Sequence, residues 1–411
     1  MNRIGKKILL LLVVFSVVLS GAVFAGGQQE ESGELPEKIK IGAAVSLSGD
    51  LSRLGQMVKR GYELWQEKVN ENGGIQVGDT RIPVEIIYYD DQSDNQTAAK
   101  LTEKLITEDD VKFLLGPYGS GPTFATTAIA EKYNIITIAT LANGSDIYER
   151  GYKNVFSVLS PGGWIFHSFL DMLMDQDNTP EKYAIITPSD LFPITVAKGA
   201  RDYVEDKGYE VAYYEEYSKG AQDLSSTMQK IKRSEADVVM GSGYLQEAIL
   251  TVRQLDEQRV DLDAMGFTTG PELEDFQDNL GSDAEGVFGV SWWMPQMTYS
   301  GSVFGSASDY AELYNSKYDE RLTYQAAAGS QGGVLLQLAI EKAGSLDTEA
   351  VREALSSYDG TTFWGPTEFD DKGMNIAGGT VAFQLQDGEK VTVWPEEAAN
   401  GEPQFPVDYL E

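Results

Sequence analysis

The chain has 411 residues, 32 Lys+Arg against 64 Asp+Glu, one histidine and no cysteine. A net charge of −32 offers no basic face to a polyanion, which excludes nucleic acid as a partner and makes the acidity a solubility device. The absence of cysteine removes disulfides, thiolate metal sites, a cysteine nucleophile and a lipid-modified cysteine together, and a lone His167 supports neither a zinc cluster nor a histidine-based triad.

The chain opens with a targeting pattern. Arg3, Lys6 and Lys7 form a basic region, Ile8–Val18 is nearly all apolar, and Val23-Phe24-Ala25 fits a signal peptidase. Residues 1–25 therefore read as a secretory signal peptide cleaved after Ala25, too short for a membrane anchor. The expected location is periplasmic. Residues 26–37, beginning GGQQEESGELP, read as a flexible tether. The remaining chain, about 370 residues, exceeds what one core serves and implies two domains.

Lys38–Val45 predicts a strand. Leu54–Asn70 predicts a helix with Leu54, Met57, Val58, Tyr62, Trp65 and Val69 on one side, stopped by Asn72-Gly73-Gly74. Val84–Tyr89 predicts a strand and Thr97–Ile106 a helix. Between them, Asp90-Asp91-Gln92-Ser93-Asp94-Asn95 begins like a calcium loop. It lacks the turn glycine and closing Glu, so it reads as a strand end followed by a helix cap. No metal and no cofactor are expected.

Val111–Ala128, VKFLLGPYGSGPTFATTA, runs from an apolar strand through a Gly/Pro/Ser loop into an Ala/Thr-rich helix start. Unpaired N–H groups and the helix dipole meet there, suiting an anion. Ser120 can add a hydroxyl donor. The phosphate-loop and dinucleotide patterns both fail, since no Gly-Lys-Ser/Thr follows and Gly119, Gly121 and Pro122 are wrongly spaced. A carboxylate or other small polar head group fits; so does a plain strand-to-helix turn with no ligand.

Ile135–Ala139 is the fourth strand. The alternation then restarts with strands at Tyr183–Thr187, Val211–Tyr217, Ala236–Gly241 and Ala264–Phe267 and helices at Ile194–Lys207, Ser225–Ile231 and Leu245–Leu255. Val287–Val290 predicts a strand, and Ala307–Tyr318, Ala326–Lys342 and Thr348–Leu355, capped by Thr348, predict helices. Val381–Leu385 and Lys390–Val393 form a hairpin around Asp387-Gly388. The expected fold class is α/β, with two Rossmann-like lobes of parallel sheet flanked by helices and joined by a multi-crossover hinge. Lobe 1 takes 38–156 plus 287–370 and lobe 2 takes 157–286 plus 371–411, with crossovers near Ser157, Val287 and Asn375. A ligand cleft lies at the strand C-termini.

Ile39–Ile75, the YYDDQSD segment (Tyr88–Asp94), LLGPYGSGPT (Leu114–Thr123) and GTTFWGPTEFDDKGMN (Gly360–Asn375) resemble the leucine/isoleucine/valine-binding protein family, the type I periplasmic solute-binding proteins of ABC importers. The resemblance implies a solute clamped between the lobes and delivered to a membrane permease by a monomer that is not an enzyme. By alignment it implies a carboxylate contact at Ser120 beside Gly119, and further contacts at Leu141 (backbone carbonyl) and Asn143. Leu54 and Phe192 fall on wall positions and Tyr244 on a ligand-facing position. The family's carboxylate for a ligand ammonium is replaced by Thr268 or Thr269, so either Asp190 takes over or the ligand lacks an ammonium. Read without the resemblance, Phe192 and Tyr244 are as well explained as core aromatics, and Trp292, Trp293 and Trp364 as core.

The expected ligand is a small carboxylate-bearing solute, an amino acid with a branched-chain or other apolar side chain. The alternatives are a non-amino-acid solute (amide, urea, aromatic or aliphatic acid) and a sensory protein for a separate receptor. An enzyme on the same fold lacks a G-x-S-x-G elbow, a phosphate loop and a metal cluster.

Overall fold

The computed structural model describes residues 35–410; the segment read as a signal peptide and residues 26–34 of the tether lie outside them. Strands β1 (Ile39–Val45), β2 (Val84–Asp90), β3 (Phe113–Leu115), β4 (Thr137–Ala139) and β5 (Val155–Ser157) build a first sheet ordered β2-β1-β3-β4-β5, parallel throughout. Helices α1 (Ser52–Glu71), α2 (Asn95–Thr107) and α3 (Ser120–Lys132) connect its strands. The strands are short apolar runs because helices cover both faces of such a sheet.

After α4 (His167–Met174) the second sheet begins: β6 (Lys182–Pro188), β7 (Glu210–Tyr217), β8 (Val238–Gly241), β9 (Ala264–Phe267), β10 (Phe288–Ser291), β11 (Val381–Gln386) and β12 (Glu389–Trp394). Its order is β12-β11-β10-β9-β8-β6-β7, parallel from β10 to β7, with β11 and β12 antiparallel at the edge. Helices α5 (Leu191–Asp206), α6 (Ser225–Ser234), α7 (Leu245–Glu257) and α8 (Glu274–Leu280) belong to its connections. The hairpin turn falls at Asp387 (φ 52°) and Gly388 (φ 76°), the pair of positive-φ positions a tight two-residue turn requires. The α/β class with helix-flanked parallel sheets is as the sequence indicated.

Three local expectations change. The strand expected at Val287–Val290 in lobe 1 is β10, which pairs with β9 and β11 in the second sheet. The last helix, α11 (Thr348–Ser356), follows α9 (Ala307–Lys317) and α10 (Tyr324–Ala343) and is capped by Asp347, not Thr348: the Asp347 carboxylate accepts the Ala350 N–H at 3.0 Å. Strand β5 and helix α4 were not foreseen. The calcium-like segment is a turn and a cap. Asp90 accepts the N–H groups of Leu47, Ser48 and Gln92, and Asp94 caps α2 through the Thr97 N–H at 2.7 Å. Among the described residues no group of three or more His, Asp or Glu could hold a metal.

Helix α10 returns the chain to the first sheet and packs on α1 through glycine. A Cβ on Gly61 would stand 2.1 Å from the Ala326 carbonyl oxygen, and one on Gly329 would stand 2.6 Å from that of Val58. Ser330 Oγ donates to the Gly61 carbonyl at 2.6 Å across the contact. The core beside it is aromatic. Trp293 packs edge-on against Tyr310, which stacks on Phe363 at 4.3 Å.

Three segments pass between the sheets: one after β5, one after β10, and one before β11. They are tied to each other. Asn375 Nδ2 donates to the Val158 carbonyl at 2.9 Å, Thr380 Oγ1 to that of Ile165 at 3.2 Å, and Trp292 Nε1 to Ser160 Oγ at 3.1 Å.

Candidate functional site

The loop after β3 is fixed before any ligand enters. Tyr62 of α1 donates its hydroxyl to the Gly116 carbonyl at 2.6 Å. Gly119, at φ 91°, turns the chain into α3, a backbone conformation that glycine tolerates best. The Gly119 N–H donates to the Leu141 carbonyl at 3.0 Å, so this loop and the one after β4 are stitched together.

These loops face those of the second sheet across a narrow cavity of about 10 Å³, room for about one water. Tyr118, Gly119, Leu141 and Asn143 form one side, and Phe192 and Tyr244 the other. Leu159, Trp292 and Tyr324 close it. Phe192 and Tyr244 lie 6.0 Å apart, and Trp292 and Tyr324 5.1 Å apart, all tilted. Asn143 Nδ2 donates to the Ser160 carbonyl at 2.6 Å, while its Oδ1 is buried with no partner among the described residues. Such an acceptor costs about 1–3 kcal/mol unless a donor reaches it.

Of the residues singled out from the sequence, Gly119, Leu141, Asn143, Phe192 and Tyr244 line the cavity. The other four are engaged elsewhere. Leu54 is buried in the first turn of α1 as part of the core. Ser120 is fully buried, and its Oγ accepts the Gly144 N–H at 3.0 Å. Thr268 donates to the Gly243 carbonyl at 2.9 Å. Asp190 caps α5 by accepting the Leu191 N–H, and its other oxygen takes the Lys219 ammonium at 2.7 Å.

A buried carboxylate of this region is Glu272. It lies in the loop after β9, is 3% exposed, and accepts the Gly270 N–H at 2.8 Å and Gln325 Nε2 at 3.1 Å. The second contact crosses from the second sheet's loop to α10. Lys390 of β12 donates to the Glu272 carbonyl oxygen at 3.2 Å. Burial holds the Glu272 carboxyl above the usual carboxylate range, against the hydrogen bonds and the Lys390 charge. Burial and the Arg321 charge pull Lys390 down to about 8.

Glu272 stands beside the aromatic wall. Burial pushes the Tyr118 and Tyr324 hydroxyls well up, the Glu272 charge adds to both shifts, and hydrogen bonds to Thr269 offset them. Sequence reasoning also missed Tyr118, Trp292 and Tyr324 as lining residues. Two rim contacts repeat the Glu272–Gln325 bridge between the sheets: Arg53–Asp275 at 3.3 Å and Arg321–Glu389 at 3.4 Å.

Ser120 has a structural duty whether or not a solute contacts it. With its oxygen on a buried N–H, Ser120→Ala loosens the loop after β4 as well, and about 1–3 kcal/mol of stability goes with it. Denaturant titration checks this; an unchanged midpoint would mean that Gly144 finds another acceptor.

The profile of the periplasmic binding protein family matches residues 38–390. The Leu/Ile/Val-binding protein homolog 7 of Brucella abortus (strain 2308) is 27% identical over 405 residues, covering 95% of this chain and 98% of that protein. Among solved structures, the branched-chain amino acid transporter substrate binding protein LivJ of Streptococcus pneumoniae, in complex with isoleucine, superposes with a TM-score of 0.74 at 24% identity, over 90% of this chain and all of that one. A solute binding protein of an ABC transporter from R. palustris, in complex with benzoate, gives 0.71 at 20% identity, over 89% and 98%. The two structural likenesses show the shared fold.

Proposed function

The chain belongs to the periplasmic binding protein family, a solute-binding protein and not an enzyme with an extracytoplasmic place of work, and on that premise we propose that it is the periplasmic receptor of an ABC importer. It takes an α-amino acid with an apolar side chain into the cavity between its two sheets and hands it, as a monomer, to a membrane permease. The two sheets and their helices act as two lobes that close on the solute by bending the three tied connections.

The observation that carries this reading is Glu272. A zwitterion needs an anion for its ammonium inside a closed cleft, because an unpaired buried charge is costly. Glu272 supplies one beside Tyr118 and Tyr324. The N-terminus of α3 faces the carboxylate, where first-turn N–H groups lack intrahelical partners. The unpartnered Asn143 Oδ1 accepts one further donor from the solute. The rings of Phe192, Tyr244, Trp292 and Tyr324 take the side chain.

The aromatic wall favours a second reading, an aromatic acid without an ammonium, and the R. palustris neighbour holds benzoate. Calorimetry of apolar L-amino acids against their deaminated acids separates the two. The amino acids are expected to bind more tightly, and tighter binding of the acids selects the second reading. Small-angle scattering with a saturating solute is expected to give a smaller radius of gyration than without it; an unchanged radius would count against closure.

A further inference from the structure

Trp292 sits at the start of the second connection, 4% exposed. One side of its indole closes the solute cavity, and the indole also lines a second, larger cavity of about 210 Å³, partly open to solvent. All three connections bound that second space: Ser160 from the first, Met297 and Tyr299 from the second, Asn375 and Thr380 from the third. Among the described residues Trp292 is the one that lines both cavities.

The indole is held on two sides. Its Nε1 donates to Ser160 Oγ at 3.1 Å, and its ring packs against Tyr324 at 5.1 Å. Ser160 in turn offers its carbonyl to Asn143 Nδ2 at 2.6 Å, so the same short segment positions the partition and a polar group of the solute site. Beyond the indole the second cavity is walled by Trp364 and Pro366, with Gly378 and Gly379 opposite. A Cβ on Gly379 would meet nothing within 4 Å. Gly379 is exposed, so the space behind the partition is apolar on one side and open to solvent on the other.

We propose that Trp292 is a specificity-determining residue, a partition that ends the solute cavity and sets the longest apolar group it accepts. The inference rests on the proposed solute site and adds the size class of its ligand: short aliphatic or single-ring side chains, with longer ones turned away by the indole and not by any lack of room behind it. Removing the partition joins the two spaces. Longer chains then gain about fourfold in affinity per added buried methylene, while short ones lose the contact with the ring.

The test is a calorimetric series of straight-chain α-amino acids of four to eight carbons, run beside the matching unsubstituted acids, on the full chain and on Trp292→Ala, Trp292→Leu and Trp292→Phe. Wild type and Trp292→Phe are expected to share one length cut-off; Trp292→Ala and Trp292→Leu are expected to move it at least two methylenes longer and to weaken the shortest members about tenfold. Two truncations guard against one failing to fold, and far-ultraviolet circular dichroism confirms which did. Wild-type binding with the same cut-off in a folded truncation overturns the partition. If no member of either series binds wild type, the solute reading fails first and this one fails with it.

Discussion

Glu272→Gln is expected to lower affinity for an apolar α-amino acid by about 2–5 kcal/mol, while the deaminated acid with the same side chain binds at least as well as before. The substitution keeps the size and removes the charge. The hydrogen bonds can survive it, because Gln325 can turn its amide and present its buried, unpartnered Oε1 to the new donor. The loss therefore reports the ammonium and not a collapsed loop. The pH dependence carries the same information with a definite sign. In the free protein Glu272 holds its proton above the usual carboxylate range. A bound ammonium favours the ionised form, so binding releases a proton, and affinity declines as pH falls through that raised value. In Glu272→Gln this slope should vanish. Calorimetry in buffers of different ionisation enthalpy measures both. Full amino-acid affinity in the variant would move the ammonium to another partner.

Gly61→Ala is expected to remove about 3 kcal/mol of unfolding free energy, the upper end of what an added methyl costs in a packed core. The new Cβ would meet the Ala326 carbonyl oxygen at 2.1 Å, and both helix backbones would have to part. Parting them breaks the Ser330–Gly61 hydrogen bond and pulls α10 away from the first sheet. Gln56→Ala, on the exposed side of the same helix, is the control, expected within about 0.5 kcal/mol of wild type. Urea denaturation of both decides the matter. Equal midpoints would mean that the two helices do not approach through their glycines.

Both expectations concern residues whose role the sequence conceals to different degrees. Alternating strand and helix patterns gave the two α/β units because each element's period is local: the run at Val238–Gly241 and the apolar stripe of α1 need no knowledge of partners. Partner choice is not local. An apolar strand such as Phe288–Ser291 reads alike in either sheet, and only its pairing with β9 and β11 assigns it. Glu272 was invisible for a related reason. It stands in Pro271-Glu272-Leu273-Glu274-Asp275, a run that reads as the charged start of α8. Nothing in the run says that one carboxylate is buried against Gln325, 53 residues away, while Glu274 faces solvent. The aromatic wall was hidden because Tyr118, Trp292 and Tyr324 carry the same apolar signal whether a core or a cavity lies beside them. Asp190 and Thr268 carry a structural duty that the sequence did not announce: one caps α5 and the other bonds the Gly243 carbonyl.

The glycine contact between α1 and α10 also bears on the order in which the molecule can be made. Gly61 emerges early, and the Ser330 that bonds to it follows 269 residues later. The second sheet waits as well, since β10 lacks its second neighbour until the chain reaches Val381. Closing so long a loop adds little to the entropic cost but makes the search slow. A chain emerging from its N-terminus thus completes neither core until these late segments follow.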